Sequence, residues 1–516
     1  MNENRTLNSA KNVSTSMVTQ ILSKIFNFIV RTAFIYFLNT EYLGVNGLFT
    51  NVLSVLSFAE MGIGTAIIYK MYEPIVENDK EKIKSLMQLY KKSYIAIGII
   101  VFVLGLLFIP FMGFIIKEAP VIDESLTIIY LLFLTNTSIS YFFTFKKSII
   151  IANQKQSVIN KIDSIIFFLK CLLEVIILYI TRYYIAYLII EIIFTFIENF
   201  YISKLSEKMY PFLKERNIKK LSKNETKSII TNVKSLVVYK FGNIVMNSTD
   251  NMLISSLINI STVGICSNYS LIISSVKSVM QSSLNSITSS IGNMNVTASS
   301  SKKEEIYYQY TFIYYLISSF VTIAFVVLLN PFIKMWIGES YLLSFNISLV
   351  LSINFYIDCL MQPGYIYRTT LGMFEKSKKT PYIGAISNIL LSIVLCKVFG
   401  LIGIFMATGI SLLISYVWID PYLLHKYVFH SSMKKYIITY IKYFGIFIIE
   451  MLISIYLSGF VNSSSIIVML LFKTIIVLIV PNFVNIVLFY KSKEFLSIYE
   501  RLVKNLLKKE KLDNKN

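Results

Sequence analysis

Apolar residues run through this chain in long stretches at helical spacing, broken by short polar linkers. A hydrocarbon layer about 30 Å thick takes roughly 20 such residues per crossing helix. On that measure the pattern predicts fourteen helices, near residues 13–38, 45–70, 93–116, 126–150, 163–181, 183–203, 229–258, 263–292, 306–330, 344–367, 381–399, 401–424, 436–458 and 465–490. The expected fold is an all-α polytopic membrane protein. Composition agrees, because 55% of the 516 residues are hydrophobic and only 15% are charged, far too apolar for a soluble chain of this length.

Charge turns the pattern into a topology. Lysine and arginine collect in alternate linkers, the set that includes the N-terminus, residues 204–228 and the C-terminal tail. The opposite linkers hold only Lys117, Arg182, Lys334 and Lys397. By the positive-inside rule both termini are cytoplasmic, in an inner-type membrane that the chain crosses many times; Ile-, Lys- and Asn-rich usage points by association to a bacterial cell membrane. The net charge of +20 is then mostly a topology signal, and no nucleic-acid partner is expected. The opening MNENRTLNSAK leads into a long first helix with no small-residue cleavage site, and reads as an uncleaved signal anchor. Cys171, Cys266, Cys359 and Cys396 have neither disulfide nor metal spacing and are read as packing residues. His425 and His430 are the only histidines, which excludes a histidine-based metal or catalytic centre. No cofactor, metal or catalytic residue is expected.

The chain also looks duplicated. Asn39-Thr-Glu-Tyr-Leu-Gly44-Val-Asn lies over Asn259-Ile-Ser-Thr-Val-Gly264-Ile-Cys at a constant offset of 220 residues. In both, a long helix ends in a tight external turn and the glycine opens the next helix. The expected domains are an N-lobe at 1–203 with six helices, a cytoplasmic linker at 204–228, and a C-lobe at 229–424 with six more. Two added helices at 425–490 and a basic cytoplasmic tail at 491–516 complete the chain. Two like-oriented lobes around a central cavity is a transporter plan, with the binding site near mid-membrane.

The chemistry lies in the stretches that are not apolar. The eighth reads Ser270, Ser274, Lys277, Gln281, Asn285, Thr288 and Gly292, all on one helical face. The first places Gln20, Lys24, Asn27 and Arg31 likewise, and the seventh Lys240, Asn243, Asn247 and Asp250. The second adds Asn46, Asn51, Ser54, Ser57 and Glu60 with less regularity. A polar stripe facing lipid would leave donors unsatisfied, so these faces line protein or water. A lysine at mid-membrane costs roughly 2.5–3.5 kcal/mol even on the lenient scale. Either Lys24, Lys240 and Lys277 line a cavity or they bond neighbouring helices; depth, stripe and symmetric placement favour the cavity. Arg31 lies nearer the outside, while Lys234 and Lys442 are close enough to the cytoplasmic edge to snorkel. On these four stretches basic residues outnumber the acids Glu60 and Asp250, so the expected ligand is an anion.

Other intramembrane charges read as pairs. Lys170 and Glu174 are one turn apart, and Glu191 comes to a similar depth if its helix doubles back. Glu450 and Lys473 match in depth from their shared external turn. Structural ion pairs are expected for both sets. The functional alternative is a coupling ion or proton held by Glu191, Glu198 or Glu60, with Asp358 beside Pro363-Gly364 as a further candidate. No GxxxxGK[ST] motif is present, which argues against nucleotide hydrolysis.

Four segments carry a resemblance: LSFAEMGIGTAIIYKMY at 56–72, KFGNIVMNSTDNMLIS at 240–255, VGICSNYSLI at 263–272 and NPFIKMWIGESYLL at 330–343. In this order and spacing the chain resembles the flippases that export O-antigen and capsule repeat units, within the multidrug/oligosaccharidyl-lipid/polysaccharide exporter superfamily. The resemblance implies two six-helix lobes in a V that open alternately to each face, with helices 1, 2, 7 and 8 lining the cavity. Glu60, Gly62 and Gly64 match the family's second-helix motif, and Asn247 and Asp250 its seventh-helix motif. The implied activity is flipping of polyprenyl-diphosphate-linked oligosaccharide repeat units to the outer leaflet, without catalysis. Lys24, Lys240 and Lys277 would hold the diphosphate and Arg31 would reach it further out. Membrane lipids and a polysaccharide polymerase complex are the other expected partners. A peptidoglycan lipid-precursor flippase and a cation-coupled drug exporter of the same superfamily are the rival readings, the latter requiring an acidic cavity.

Overall fold

The computed structural model describes residues 2–500, leaving out 58, 59, 61, 62, 216, 217, 220, 374, 498 and 499; the side chains of 2–17 and 65, and many within 224–247 and 282–297, are likewise not described. Helices stand over all fourteen predicted stretches, and no strand occurs among the described residues. They are α1 (Asn2–Phe37), α2 (Thr40–Leu56), α3 (Ile63–Val76), α4 (Lys80–Phe108), α5 (Met112–Ile115), α6 (Leu126–Thr144), α7 (Lys147–Ala152), α8 (Gln156–Thr181), α9 (Tyr184–Met209), α10 (Lys223–Leu257) and α11 (Ile260–Thr297). There follow α12 (Ser300–Ile337), α13 (Phe345–Leu360), α14 (Gln362–Thr370), α15 (Thr380–Phe399), α16 (Leu401–Ile414), α17 (Tyr416–Leu424), α18 (Met433–Gly459) and α19 (Ile466–Phe489). Eleven helical segments among the described residues are long and apolar enough to cross a membrane. The stretches at 45–70, 229–258 and 263–292 are not among them. The first of these breaks between α2 and α3, and the other two carry the polar stripes of α10 and α11.

Several predicted helices are split. The stretch at 344–367 divides where Pro363, at the start of α14, cannot continue the ladder of α13. The stretch at 401–424 divides at Ser415, and that at 126–150 at Lys146. Others run past their predicted ends: α12 has 38 residues, about 57 Å of helix, more than a bilayer core needs.

By packing, the chain separates into two compact units, residues 1–283 and 284–516, with the division inside α11. In the first, α1 lies on α8, α2 on α10, α4 on α6, and α6 and α8 on α9. In the second, α12 is central, touching α13, α18 and α19, while α15 lies on α16. Phe312, Tyr315, Tyr356, Tyr443, Phe447 and Phe489 form its aromatic core. The segment before α10 is docked within the first unit: Lys84 bonds Glu215 at 2.7 Å, Ser85 donates to the Lys219 carbonyl, and Lys82 pairs with Glu225 at 2.9 Å.

Candidate functional site

The two copies of the internal repeat meet each other. Asn39 caps α2, its side-chain oxygen accepting from the backbone N–H groups of Glu41 and Tyr42. Asn259, 220 residues on, accepts from the backbone and hydroxyl of Thr262 at the start of α11. Just past each cap is a glycine with no room for a side chain. A Cβ on Gly44 would lie 2.8 Å from the Ile260 carbonyl carbon and closer still to its oxygen. One on Gly264 would lie 3.0 Å from the Gly44 nitrogen and closer still to the Thr40 carbonyl oxygen. Residue 40 corresponds to 260 and 44 to 264, so the contact is reciprocal, as it is about a two-fold axis.

The flanking helices obey the same relation. Arg31 of α1 donates from Nε to the Asn268 side-chain oxygen at 2.9 Å and from a terminal nitrogen to the Ser267 hydroxyl. The repeat partner of Arg31 is Asn251 on α10, and that of Ser267 is Gly47 on α2. Asn251 does lie against Gly47, its amide nitrogen 3.8 Å from where a Cβ would be. Thus α1 touches α11 as α10 touches α2. The linkers at this end add to it: Asn39 donates to the Val121 carbonyl at 3.0 Å, Tyr42 donates to Glu124, and the Lys117 ammonium reaches the Leu257 carbonyl at 3.2 Å.

Inward from the crossing the polar stripes open. On α11 one face is buried at Val263, bonded to Arg31 at Ser267, exposed at Ser270 and Ser274, and half-exposed at Lys277 and Gln281. On α1 the matching face is buried at Phe34 and half-exposed at Arg31, Asn27, Lys24 and Gln20. At 1.5 Å per residue, Lys24 lies about 10 Å below Arg31, and Lys277 about 15 Å below Ser267. Both lysines stand near the middle of their predicted stretches, 13–38 and 263–292. Lys240, Asn243, Asn247 and Asn285 fall outside the described residues. Asp250 is half-buried on α10, beside the crossing.

Other expected site residues sit elsewhere. Glu60 accepts a hydrogen bond from Tyr94 at 3.1 Å, and Tyr90 donates to Tyr94, so this carboxylate is turned toward α4. The polar residues of α2 largely bond locally: Asn51 to the Gly47 carbonyl, Ser54 to the Thr50 carbonyl, and Asn46 to the Tyr184 hydroxyl. Lys170 lies 3.6 Å from Glu174 and 3.9 Å from Glu191, while Lys147 lies 2.9 Å from Asp163 and 3.7 Å from Glu198. The expected Glu450–Lys473 pair does not form: Glu450 faces Tyr315, and no ion pair joins the two charges. Sequence reasoning missed the buried pair Arg368–Asp420, with nitrogen–oxygen distances of 2.9 and 2.8 Å and both side chains fully covered. Arg368, one residue past the predicted stretch 344–367, and Asp420, inside that at 401–424, were the available signal.

No protein-family model matches the sequence, and no curated protein matches it by sequence. Solved structures match it in fold. The chain is similar to the lipid II flippase MurJ in an inward closed conformation, at 15% identity over 92% of this chain and 98% of that one, with a TM-score of 0.63. It is similar to an inward-facing multidrug resistance MATE family transporter of the MOP superfamily, at 13% identity over 79% of this chain and 98% of that one, TM-score 0.60. A MOP superfamily transporter from Pyrococcus furiosus, described by a binding pocket of reverse polarity, matches at 13% identity over 81% and 95%, TM-score 0.52. The fold is therefore the one shared by MurJ and the MATE transporters.

Proposed function

We propose that this chain is an alternating-access flippase whose ligand is a polyprenyl diphosphate carrying a short saccharide. The observation that carries the reading is the charge of the open stripes. Lys24 and Lys277 are half-exposed at mid-depth on two helices that converge at the crossing, and Glu60 is turned away into a tyrosine cluster. A lysine at that depth is costly unless water, protein or an anion accompanies it. A diphosphate answers that need with charge-assisted bonds, and the hydroxyl and amide groups of Ser270, Ser274, Gln281 and Asn27 suit sugars. The glycine crossing would be the outer gate, which must part before the ligand can leave outward. A cation exporter of the same fold would want the opposite polarity.

Two sources of that ligand chemistry compete. The four sequence segments support a capsule or O-antigen repeat unit. The MurJ likeness supports a peptidoglycan precursor, since it extends over 92% of this chain against 79–82% for the drug-exporter structures. Both ligands present a polyprenyl diphosphate, so the proposed role of the lysines is common to them. The test is thermal stabilisation of the purified protein by diphosphate-linked saccharide lipids of each kind, against a panel of lipophilic cations. Stabilisation by the anionic lipids that disappears in Lys24→Ala/Lys240→Ala/Lys277→Ala is the expected result, and the preferred saccharide separates the sources. Stabilisation by the cations, indifferent to those lysines, would overturn the reading.

A further inference from the structure

A cavity of about 540 Å³ lies at the end of the first unit where α4 begins, and none of its described lining residues belongs to α1, α2, α10 or α11. It is therefore separate from the polar stripes. One face of α4 supplies Lys84, Gln88, Lys91 and Ile95 at helical spacing. Lys146, between α6 and α7, and Glu207 of α9 also line it, and the segment before α10 completes the lining with Lys214, Glu215 and Ile218.

The charges do not balance. Among the described lining residues are five lysines and two glutamates. Both glutamates are taken, Glu215 by Lys84 at 2.7 Å and Glu207 by Lys146. Lys91, Lys92 and Lys214 are exposed, and their ammonium groups form no ion pair or hydrogen bond among the described residues. Three like charges around one cavity repel one another, and an anion with several acceptor oxygens relieves that repulsion.

The apolar surroundings say what kind of anion. Met87, Ile95, Phe145 and Leu213 also line the cavity, and a bare inorganic ion gains nothing from them. Beyond Ile95 the same face of α4 continues as Ile99, Phe102 and Leu106, all exposed. From Ile95 to Leu106 is about 16 Å of helix, close to one leaflet of a hydrocarbon layer about 30 Å thick. On α9 the face that carries Glu207 continues as Phe200 and Phe196, also exposed. Helix α6 packs against both α4 and α9, with Phe143 edge-on to these two rings at 6.1 and 5.7 Å. The cationic cavity thus leads into apolar surface long enough for an acyl chain.

We propose that this cavity seats the phosphate of an anionic phospholipid from the surrounding membrane, with its acyl chains lying along α4 and α9. Basic pockets between membrane helices suit such headgroups. Lys91 and Lys92 would contact the phosphate. Because Lys214, Glu215 and Ile218 belong to the segment before α10, the bound lipid would also hold that segment against α4.

The test uses the purified protein in detergent and a phosphatidylglycerol with a photoreactive acyl chain, the adduct being located by peptide mass. Adducts within 95–106 or 196–207, competed by unlabelled phosphatidylglycerol and not by phosphatidylcholine, are the expected result. A lysine near a lipid phosphate is worth about fivefold in affinity, so Lys91→Gln/Lys92→Gln should raise the concentration for half-maximal labelling about 25-fold. Lys378→Gln/Lys379→Gln, which removes the same charge from exposed positions of the second unit, should leave it unchanged. Equal competition by phosphatidylcholine would reduce the surface to ordinary lipid contact, and equal competition by inorganic phosphate would make it a free-anion site. Stronger competition by a polyprenyl diphosphate would make it a substrate entry. Each of these overturns the proposal, as does an equal loss in the two variants, which would assign the effect to net charge. No transport is measured, so failure here is distinct from failure of the flippase reading.

Discussion

Replacing Gly44 by alanine adds one carbon atom where the helices leave no space. That carbon would sit 2.8 Å from the Ile260 carbonyl carbon, whereas unstrained carbon contacts lie at about 3.5–4.0 Å. The two helices must therefore part by about 1 Å, because the obstructing atoms are backbone and cannot rotate away. Overpacking of this kind costs about 1–3 kcal/mol. Gly264→Ala presses on the same crossing from the other side and should cost a similar amount. Once one alanine has opened the contact, the second meets less resistance, so the double variant should lose less than the sum of the singles. Gly445→Ala is the control: nothing lies within 4 Å of its added carbon, and a helix-interior alanine there should be neutral or gain up to about 1 kcal/mol.

Two measurements read this out. Thermal denaturation in detergent gives the loss of stability and its non-additivity. Reaction of Thr40→Cys with a membrane-impermeant thiol reagent, in a background lacking the four native cysteines, reports whether the outer end has opened. The single glycine variants are expected to melt lower and to react faster. If Gly44→Ala and Gly264→Ala melt like the parent and leave the position-40 thiol no more reactive, the crossing is not the tight contact described, and its role as a gate falls with it.

Two further predictions concern the rest of the chain. Asp420→Asn takes the paired carboxylate from the buried Arg368 guanidinium, and removing one partner of such a pair costs about 3–5 kcal/mol. Arg368→Met/Asp420→Leu together should melt much closer to wild type; equal losses in single and double variants would deny the coupling. At the start of α10, the Lys82 ammonium at 2.9 Å, with the Ser222 side chain and backbone, holds the Glu225 carboxyl down to about 2. A carboxyl held below its usual range of about 4.5 stabilises the fold above that pH, and the contribution fades as pH falls toward 2. Both side chains are well exposed, so the pair contributes only about 0.5 kcal/mol. Melting curves of wild type and Glu225→Gln should separate above pH 4.5 and converge in acid, and a constant gap across that range would contradict the assignment.

Helix positions were legible because membrane-length apolar runs leave few alternatives for backbone hydrogen bonding. The caps at Asn39 and Asn259 and the glycines five residues on were legible as a repeat, though not that the two copies would touch. Side-chain direction was harder to read. Glu450 and Lys473 agree in depth, but each residue turns a helix by 100°, and depth says nothing about which face a charge takes. Glu60 belonged to the least regular stripe, and it is the one whose carboxylate leaves the open face for Tyr94. On α1 and α11 the i+3 and i+4 series from Arg31 to Gln20 and from Ser267 to Gln281 are half-exposed, with Ser270 and Ser274 exposed. The interruption at Ser415 has no proline or glycine to announce it, and only the packing of α17 against α14, α15 and α16 accounts for it.

The balance of charge bears on what would drive a flippase of this kind. One elementary charge crossing 100 mV is worth about 2.3 kcal/mol. If three stripe lysines hold a diphosphate as proposed, the loaded site would be close to neutral, and the field would have little hold on it. The empty site would keep its positive charge, so a negative interior would draw it back toward the cytoplasm. A single net charge traversing half of a 100 mV field gains about 1.2 kcal/mol, roughly sevenfold in the rate of that step. In proteoliposomes an inside-negative potassium diffusion potential should therefore speed repeated turnover, and the opposite polarity should slow it, with no effect on a single outward passage. Lys24→Gln, which removes one of the charges from the returning site, should shrink the dependence. Equal rates at both polarities would mean that the stripes carry no net charge through the field, and that the lysines serve binding alone.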